Sequence, residues 1–275
     1  MGLWAAFRRW VTPSKAPLLN IAADEGEGPV IIFLHGIASS AATFTHVIPQ
    51  LSDHYRCISF DLLGFGESPS PADATFTIEE HVDSIRATIN SLKLDAPFIL
   101  VGHSLGSLLA ARYTAMHPSK VSRLVLVSPP IYVPPNQIGD PLVRARVGAY
   151  MRAYEFLRDN KDFTMATAET LGRLFQLEDI LDVSERNWQA FVLSLKNCIE
   201  TQTTVSDIAS VRVPIDVVYG SLDQFIAPGT MRIVEQMRQV TMHRVEANDH
   251  LVRKRLAKRL VSVIDSGAEL AQKAR

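Results

Sequence analysis

Short apolar runs alternate with amphipathic ones along most of the chain. Val30-Ile-Ile-Phe-Leu34 and Phe98-Ile-Leu-Val101 are unbroken apolar runs, the pattern of strands buried on both faces. Ile78, Val82, Ile85 and Ile89 recur instead at helical spacing. Thr77 before them suits an N-cap and Glu79 and Glu80 fall in the first turn, so the spacing predicts a helix over 78–92. The same reasoning predicts an outer strand over 18–22, a turn over 24–29, a helix over 42–51, and strands over 56–60 and 121–127. Late in the chain it predicts a strand over 213–220, a helix over 230–239, a strand over 242–245 and a final helix from about residue 250.

Between these two stretches the alternation stops. Ser128-Pro-Pro-Ile-Tyr-Val-Pro-Pro135 is a proline-rich boundary, and helical patterns follow over 142–157, 165–177 and 184–199 with no convincing strand. Their apolar positions are large or pliable, among them Tyr150, Met151, Tyr154, Phe156, Trp188 and Phe191. The fold class expected is therefore α/β: a mostly parallel sheet flanked by helices, with a helical insertion over 131–206 dividing a core of 18–130 and 207–275. Residues 1–17 form a separate amphipathic segment, with Leu3, Trp4, Phe7, Trp10 and Val11 at helical spacing and Arg8 and Arg9 opposite. The apolar stretch is shorter than the roughly 20 residues of a membrane span, and it lacks the basic start and cleavage site of a secretory signal. Ala6 stands where myristoylation expects Ser or Thr. This segment is expected to dock on the protein's own body or on a second copy in a homodimer, with a peripheral membrane contact through residues 1–12 as the alternative.

Composition narrows the picture. The 275 residues suffice for one sizeable core, and a net charge of -1 gives no support to nucleic-acid binding. Cys57 and Cys198 lie in unlike contexts and read as free thiols of a reducing compartment, which makes the cytoplasm the expected location. No Cys, His and carboxylate cluster has metal-site spacing, so neither metal nor cofactor is expected.

The chemistry centres on Gly102-His-Ser-Leu-Gly106, which lies between a predicted strand and a helix-like run. G-x-S-x-G at such a junction puts the serine on a sharp turn, where side chains in place of the glycines would collide with neighbouring backbone. A serine hydroxyl needs a base. In open α/β sheets reacting groups gather beyond the carboxyl ends of strands. Of the eight histidines, His250, after the last strand, fits best. His103 adjoins Ser104 and points away from its hydroxyl. His35 is better suited to bracing its loop, and His46, His54, His81, His117 and His243 read as ordinary solvated histidines. Asp223, after the strand ending at Gly220, is the acid that orients His250. Asp249 is too near in sequence to reach the ring, and Asp216 and Asp207 read as structural. The oxyanion donors expected are the N–H groups of Leu105 and Ile37, the latter in the loop opened by Gly36.

Taken together, His35-Gly36, Asp61-Leu-Leu-Gly-Phe-Gly-Glu-Ser68, Gly102–Gly106, Tyr219-Gly-Ser-Leu-Asp223 and His250 resemble the α/β-hydrolase fold superfamily, in its capped serine-hydrolase group, over about residues 28–265. The resemblance implies that the insertion is a cap shaping the pocket over Ser104, and that Asp61–Ser68 is a structural loop. Serine at 104 argues against the epoxide hydrolases and haloalkane dehalogenases of the group, which use aspartate there. The activity expected is acyl-enzyme hydrolysis of a small-molecule carboxylic ester with a hydrophobic group. Carbon–carbon bond hydrolysis of ring-fission products, and a triad-bearing small-molecule receptor, remain as alternatives; none of the cap arginines falls in the pattern of the former. For the N-terminal segment, liposome co-sedimentation of the full chain against a variant lacking residues 1–12 separates the two expectations: equal or absent binding supports docking on protein, and loss on deletion supports the membrane contact.

Overall fold

The computed structural model describes residues 16–133, 136, 138–175 and 182–273, so the amphipathic segment expected over 1–17 lies almost wholly outside the described residues. Seven strands, β1 (Ile21–Glu25), β2 (Val30–Leu34), β3 (Arg56–Phe60), β4 (Phe98–His103), β5 (Val121–Val127), β6 (Ile215–Gly220) and β7 (Val240–Val245), form one sheet in the order β1-β3-β2-β4-β5-β6-β7. Every pairing is parallel except β1 with β3. The described helices are α1 (Ile48–Leu51), α2 (Ile78–Ser91), α3 (Leu105–Met116), α4 (Pro141–Asp159), α5 (Lys161–Phe175), α6 (Trp188–Ser194), α7 (Thr204–Ser210), α8 (Pro228–Glu235) and α9 (Lys254–Lys273).

The apolar runs are strands because each of their faces has a core to enter. Ile32, Leu34, Phe98 and Leu100 point into a cluster with α2, α3 and the insertion. Their neighbours Ile31, Phe33, Ile99 and Val101 point into a second cluster with α1 and α9. Alternation along the pleat thus serves two cores at once, which is why no polar residue interrupts these runs.

Several boundaries differ from the sequence expectation, for local reasons. The helix expected over 42–51 is two pieces, a 3-10 turn at Ala41–Phe44 and then α1. Pro49 has no N–H to offer Thr45, so the helix restarts with proline in its first turn. Strand β1 runs to Glu25, into the expected turn, because Asp24 pairs with Arg56 across the ladder at 2.7 Å. The helix expected over 184–199 starts at Trp188 and ends in a wider π turn at Leu195–Ile199. The last helix starts at Lys254, leaving His250 in a loop.

Of the histidines expected to be solvated, His81 is buried and His243 is half-buried in an ionic network. His81 is fully buried under the insertion, with Nε2 3.0 Å from the Ser194 hydroxyl. Its position on the inward face of α2, one residue before Val82, decides this. His243 lies 2.7 Å from Asp216, which also holds Arg123 at 2.6 Å. The expectation of a structural role for Asp216 agrees with that network.

What positions the turn at Ser104 is the fit of α3 against β2. A Cβ on Gly102 would overlap the Gly106 carbonyl, and one on Gly106 would overlap the carbonyls of Leu34 and His35. Gly106→Ala must therefore push α3 away from β2, and we expect it to cost about 2–4 kcal/mol of stability. Urea unfolding checks this; an unchanged midpoint would contradict so close an approach.

Candidate active site

Ser104 sits between β4 and α3 at φ 51° and ψ −120°, a left-handed backbone that a side-chain-bearing residue adopts only under constraint. The constraint is visible. Its N–H donates to the Val127 carbonyl at 3.0 Å, its carbonyl accepts from Ser107 N–H at 2.9 Å, and the glycine contacts leave the turn no other path. The hydroxyl stands at the N-terminus of the twelve-residue α3, where helix N–H groups have no partner within the helix.

Asp223 and His250 lie side by side. His250 Nδ1 lies 2.9 Å from Asp223 Oδ2 and 3.0 Å from Oδ1, so it carries the proton toward the carboxylate. The Asp223 side chain is fully buried, whereas the His250 side chain is 17% exposed. Burial alone would raise the Asp223 carboxyl. The bond and charge of His250, the Ser128 hydroxyl facing it and the Phe225 N–H outweigh that effect and hold it below the usual carboxylate value. The aspartate therefore stays ionised and keeps the other ring nitrogen, Nε2, bare. Among the described residues neither Ser104 Oγ nor His250 Nε2 is hydrogen-bonded, so both are free to engage a substrate.

The remaining loops complete the surroundings. Ile37 N–H has no backbone partner among the described residues, and Gly36 beside it approaches Ser104 so closely that an added Cβ would lie 3.0 Å from the serine Cβ. Ala38 follows at φ 51°, and its carbonyl takes a 2.8 Å bond from Asp182 N–H of the insertion. His35 braces this loop as expected: Nε2 accepts from Leu62 N–H at 2.8 Å, which leaves Nδ1 to donate to the Gly36 carbonyl at 2.7 Å. Asp61 accepts from Asn20, Ala41 N–H and Glu67 N–H, the work of a structural carboxylate. Asp249 turns to Leu251 N–H and away from the ring.

Some neighbours escaped the sequence reading. His103 was expected to face away from the Ser104 hydroxyl; its ring nevertheless lies 5.0 Å from that of His250, with Nε2 2.9 Å from the His250 carbonyl. The Phe225 ring meets His250 edge-on at 4.7 Å, and Ser128, at φ 47°, turns the chain from β5 toward Asp223. A positive φ at a serine and an aromatic two residues past an aspartate leave no sequence signature of this kind. A surface groove of about 750 Å³ beside Asn20, Ser40, Glu67 and Arg186 contains none of Ser104, Asp223 or His250, and the Asp61 carboxylate that reaches it already accepts three hydrogen bonds. Among the described residues no group of three His, Cys, Asp or Glu could hold a metal, and no helix is long and apolar enough to cross a membrane.

Burial lowers His35 to about 4 and both His81 and His103 to about 3. An unfolded chain protonates these groups near pH 6.5, so below that the unfolded state binds protons that the folded state refuses. The stability they confer is complete above about pH 6.5 and drains as the pH falls toward their folded values, by up to about 1.4 kcal/mol per unit and per histidine. Thermal melts should show a falling midpoint from about pH 6.5 to about pH 4.5; a constant midpoint would contradict neutral burial.

A family model described as alpha/beta hydrolase fold matches residues 29–252. The curated protein named "Probable lysophospholipase BODYGUARD 2" of Arabidopsis thaliana is 40% identical over 39% of this chain and 24% of its own length. The chain thus spans about a quarter of the first curated relatives it matches. Among solved structures, a serine hydrolase involved in carbazole degradation superposes with a TM-score of 0.67 at 20% identity, covering 90% of this chain and 93% of that one. The enol-lactonase from Burkholderia xenovorans LB400 superposes at 0.65 with 20% identity, covering 89% and 94%.

Proposed function

Because the chain belongs to the alpha/beta hydrolase fold family, we propose that it is a serine hydrolase cleaving carboxylic esters of small to medium hydrophobic substrates through an acyl-enzyme. The observation that carries the reading is the 2.9 Å bond between buried, ionised Asp223 and His250, on the same sheet edge as the Ser104 turn. In the first half-reaction His250 Nε2 takes the hydroxyl proton while Ser104 Oγ attacks the ester carbonyl. The oxyanion is received by the N–H groups of Ile37 and Leu105. Asp223 stabilises the imidazolium, which then gives its proton to the departing alcohol. A water molecule, activated by the same ring, releases the acid and restores the serine.

The insertion acts in this reading as a cap. Tyr154 of α4 packs against Phe225, whose ring touches His250, so aromatic carbon surrounds the base and favours a hydrophobic acyl group over a charged one. The lysophospholipase named among the relatives agrees in kind, since a lysophospholipid is a hydrophobic ester. Cys57 and Cys198, both buried and free, suit a reducing compartment such as the cytoplasm.

Steady-state assay with a series of p-nitrophenyl esters tests the proposal. We expect activity to rise with acyl hydrophobicity, to vanish in Ser104→Ala, and to fall by about 10³–10⁴ in kcat in Asp223→Asn. Undiminished turnover in Ser104→Ala would contradict the mechanism, and a best substrate with a charged or sugar-like acyl group would contradict the substrate class.

A further inference from the structure

Two buried phenols stand between the insertion and the acid–base pair. Tyr132 lies in the segment that leaves β5, and Tyr154 is on the inward face of α4. The Tyr132 hydroxyl lies 2.9 Å from the Tyr154 hydroxyl and 2.9 Å from the Phe225 carbonyl. A carbonyl only accepts, so the single Tyr132 proton goes to Phe225 and Tyr154 must donate to Tyr132. From Phe225 the connection continues. Its N–H donates to Asp223 Oδ1 at 3.0 Å, and Asp223 receives His250 Nδ1. The rings follow the same route, with Tyr154 stacked on Phe225 at 11° and Phe225 edge-on to His250.

Filling this space needs only the rings, and burying two hydroxyls costs free energy unless both are bonded. Burial raises both phenols above their ordinary range, so each keeps the proton that the chain of bonds requires. Phe225 is consequently held at three points: its carbonyl by Tyr132, its N–H by the acid, its ring by the base. Removing the first hold cuts the tie from the Phe225 carbonyl through Tyr132 to α4, while the turn keeps its own bonds from Asp223 N–H to Gly220 and from Ile226 N–H to Asp223.

We propose that Tyr132, backed by Tyr154, is a positioning residue for the Asp223–His250 pair, through which the placement of α4 sets the orientation of the base. The proposal rests on the serine-hydrolase reading for its kinetic consequence, though the geometry of the pair can be observed without turnover.

The test uses the full chain with Tyr132→Phe, Tyr154→Phe and the double variant, assayed on p-nitrophenyl butyrate across pH, alongside the downfield proton resonance of His250 Nδ1–H. We expect Tyr132→Phe to lower kcat about tenfold with KM changed less than about twofold, to displace the acid limb of the pH profile, and to shift or broaden the resonance. Tyr154→Phe should act in the same direction but less, and the double variant should match Tyr132→Phe because the bonds are in series. A lowered melting temperature with wild-type kcat, pH profile and resonance would overturn the proposal and leave the phenols as packing. Should Tyr132→Phe fail to fold, Tyr154→Phe decides by the same readouts. If the wild-type chain hydrolyses no ester, the serine-hydrolase reading fails, and the resonance in the variants still decides whether the phenols position the pair.

Discussion

Ser104 is held in a left-handed backbone conformation by the close passage of α3 over β2, and the site depends on that constraint. Two glycines make the passage possible: the added carbon of any other residue at 102 or 106 would overlap a backbone carbonyl. Strain of this kind costs on the order of 1–3 kcal/mol and survives only where packing forbids relief. Here the two cores on either side of the sheet supply the packing. The same turn that strains the serine also presents it at the start of a buried helix, so position and electrostatic environment come from one local event.

His250 and Asp223 are held in loops, each by more than one bond. His250 is fixed by Asp223 on one side and by His103, through its own carbonyl, on the other. Asp223 is fixed by His250 and by Phe225 N–H. His103 beside the aspartate is neutral by burial, as is His35 in the opposing loop. The buried carboxylate of Asp223 faces His250 Nδ1 directly, the arrangement that would stabilise an imidazolium formed during attack.

Much of this was legible in the sequence. The unbroken apolar runs identified the central strands, G-x-S-x-G fixed the place of the turn, and the positions of Asp223 and His250 after strands brought them to one edge. What was not legible has physical causes. Pro49 divides a helix whose apolar spacing reads as continuous. His81 is a polar residue at a core position, where the Ser194 hydroxyl from the insertion meets its Nε2. The Tyr132–Tyr154–Phe225 connection joins residues up to 93 positions apart through hydroxyls and a main-chain carbonyl, which no periodicity records. Long-range side-chain bonds are settled by the fold and not by the pattern that produces it.

The central claim is that Ser104 is the nucleophile and that His250 activates it. Reaction with a fluorophosphonate followed by peptide mapping tests this most directly, since a phosphonyl adduct forms only on an activated hydroxyl. The account predicts a single adduct on the peptide containing Ser104, formed quickly in the wild-type chain and far more slowly in His250→Ala. An adduct on another residue, or labelling at an undiminished rate in His250→Ala, would contradict it.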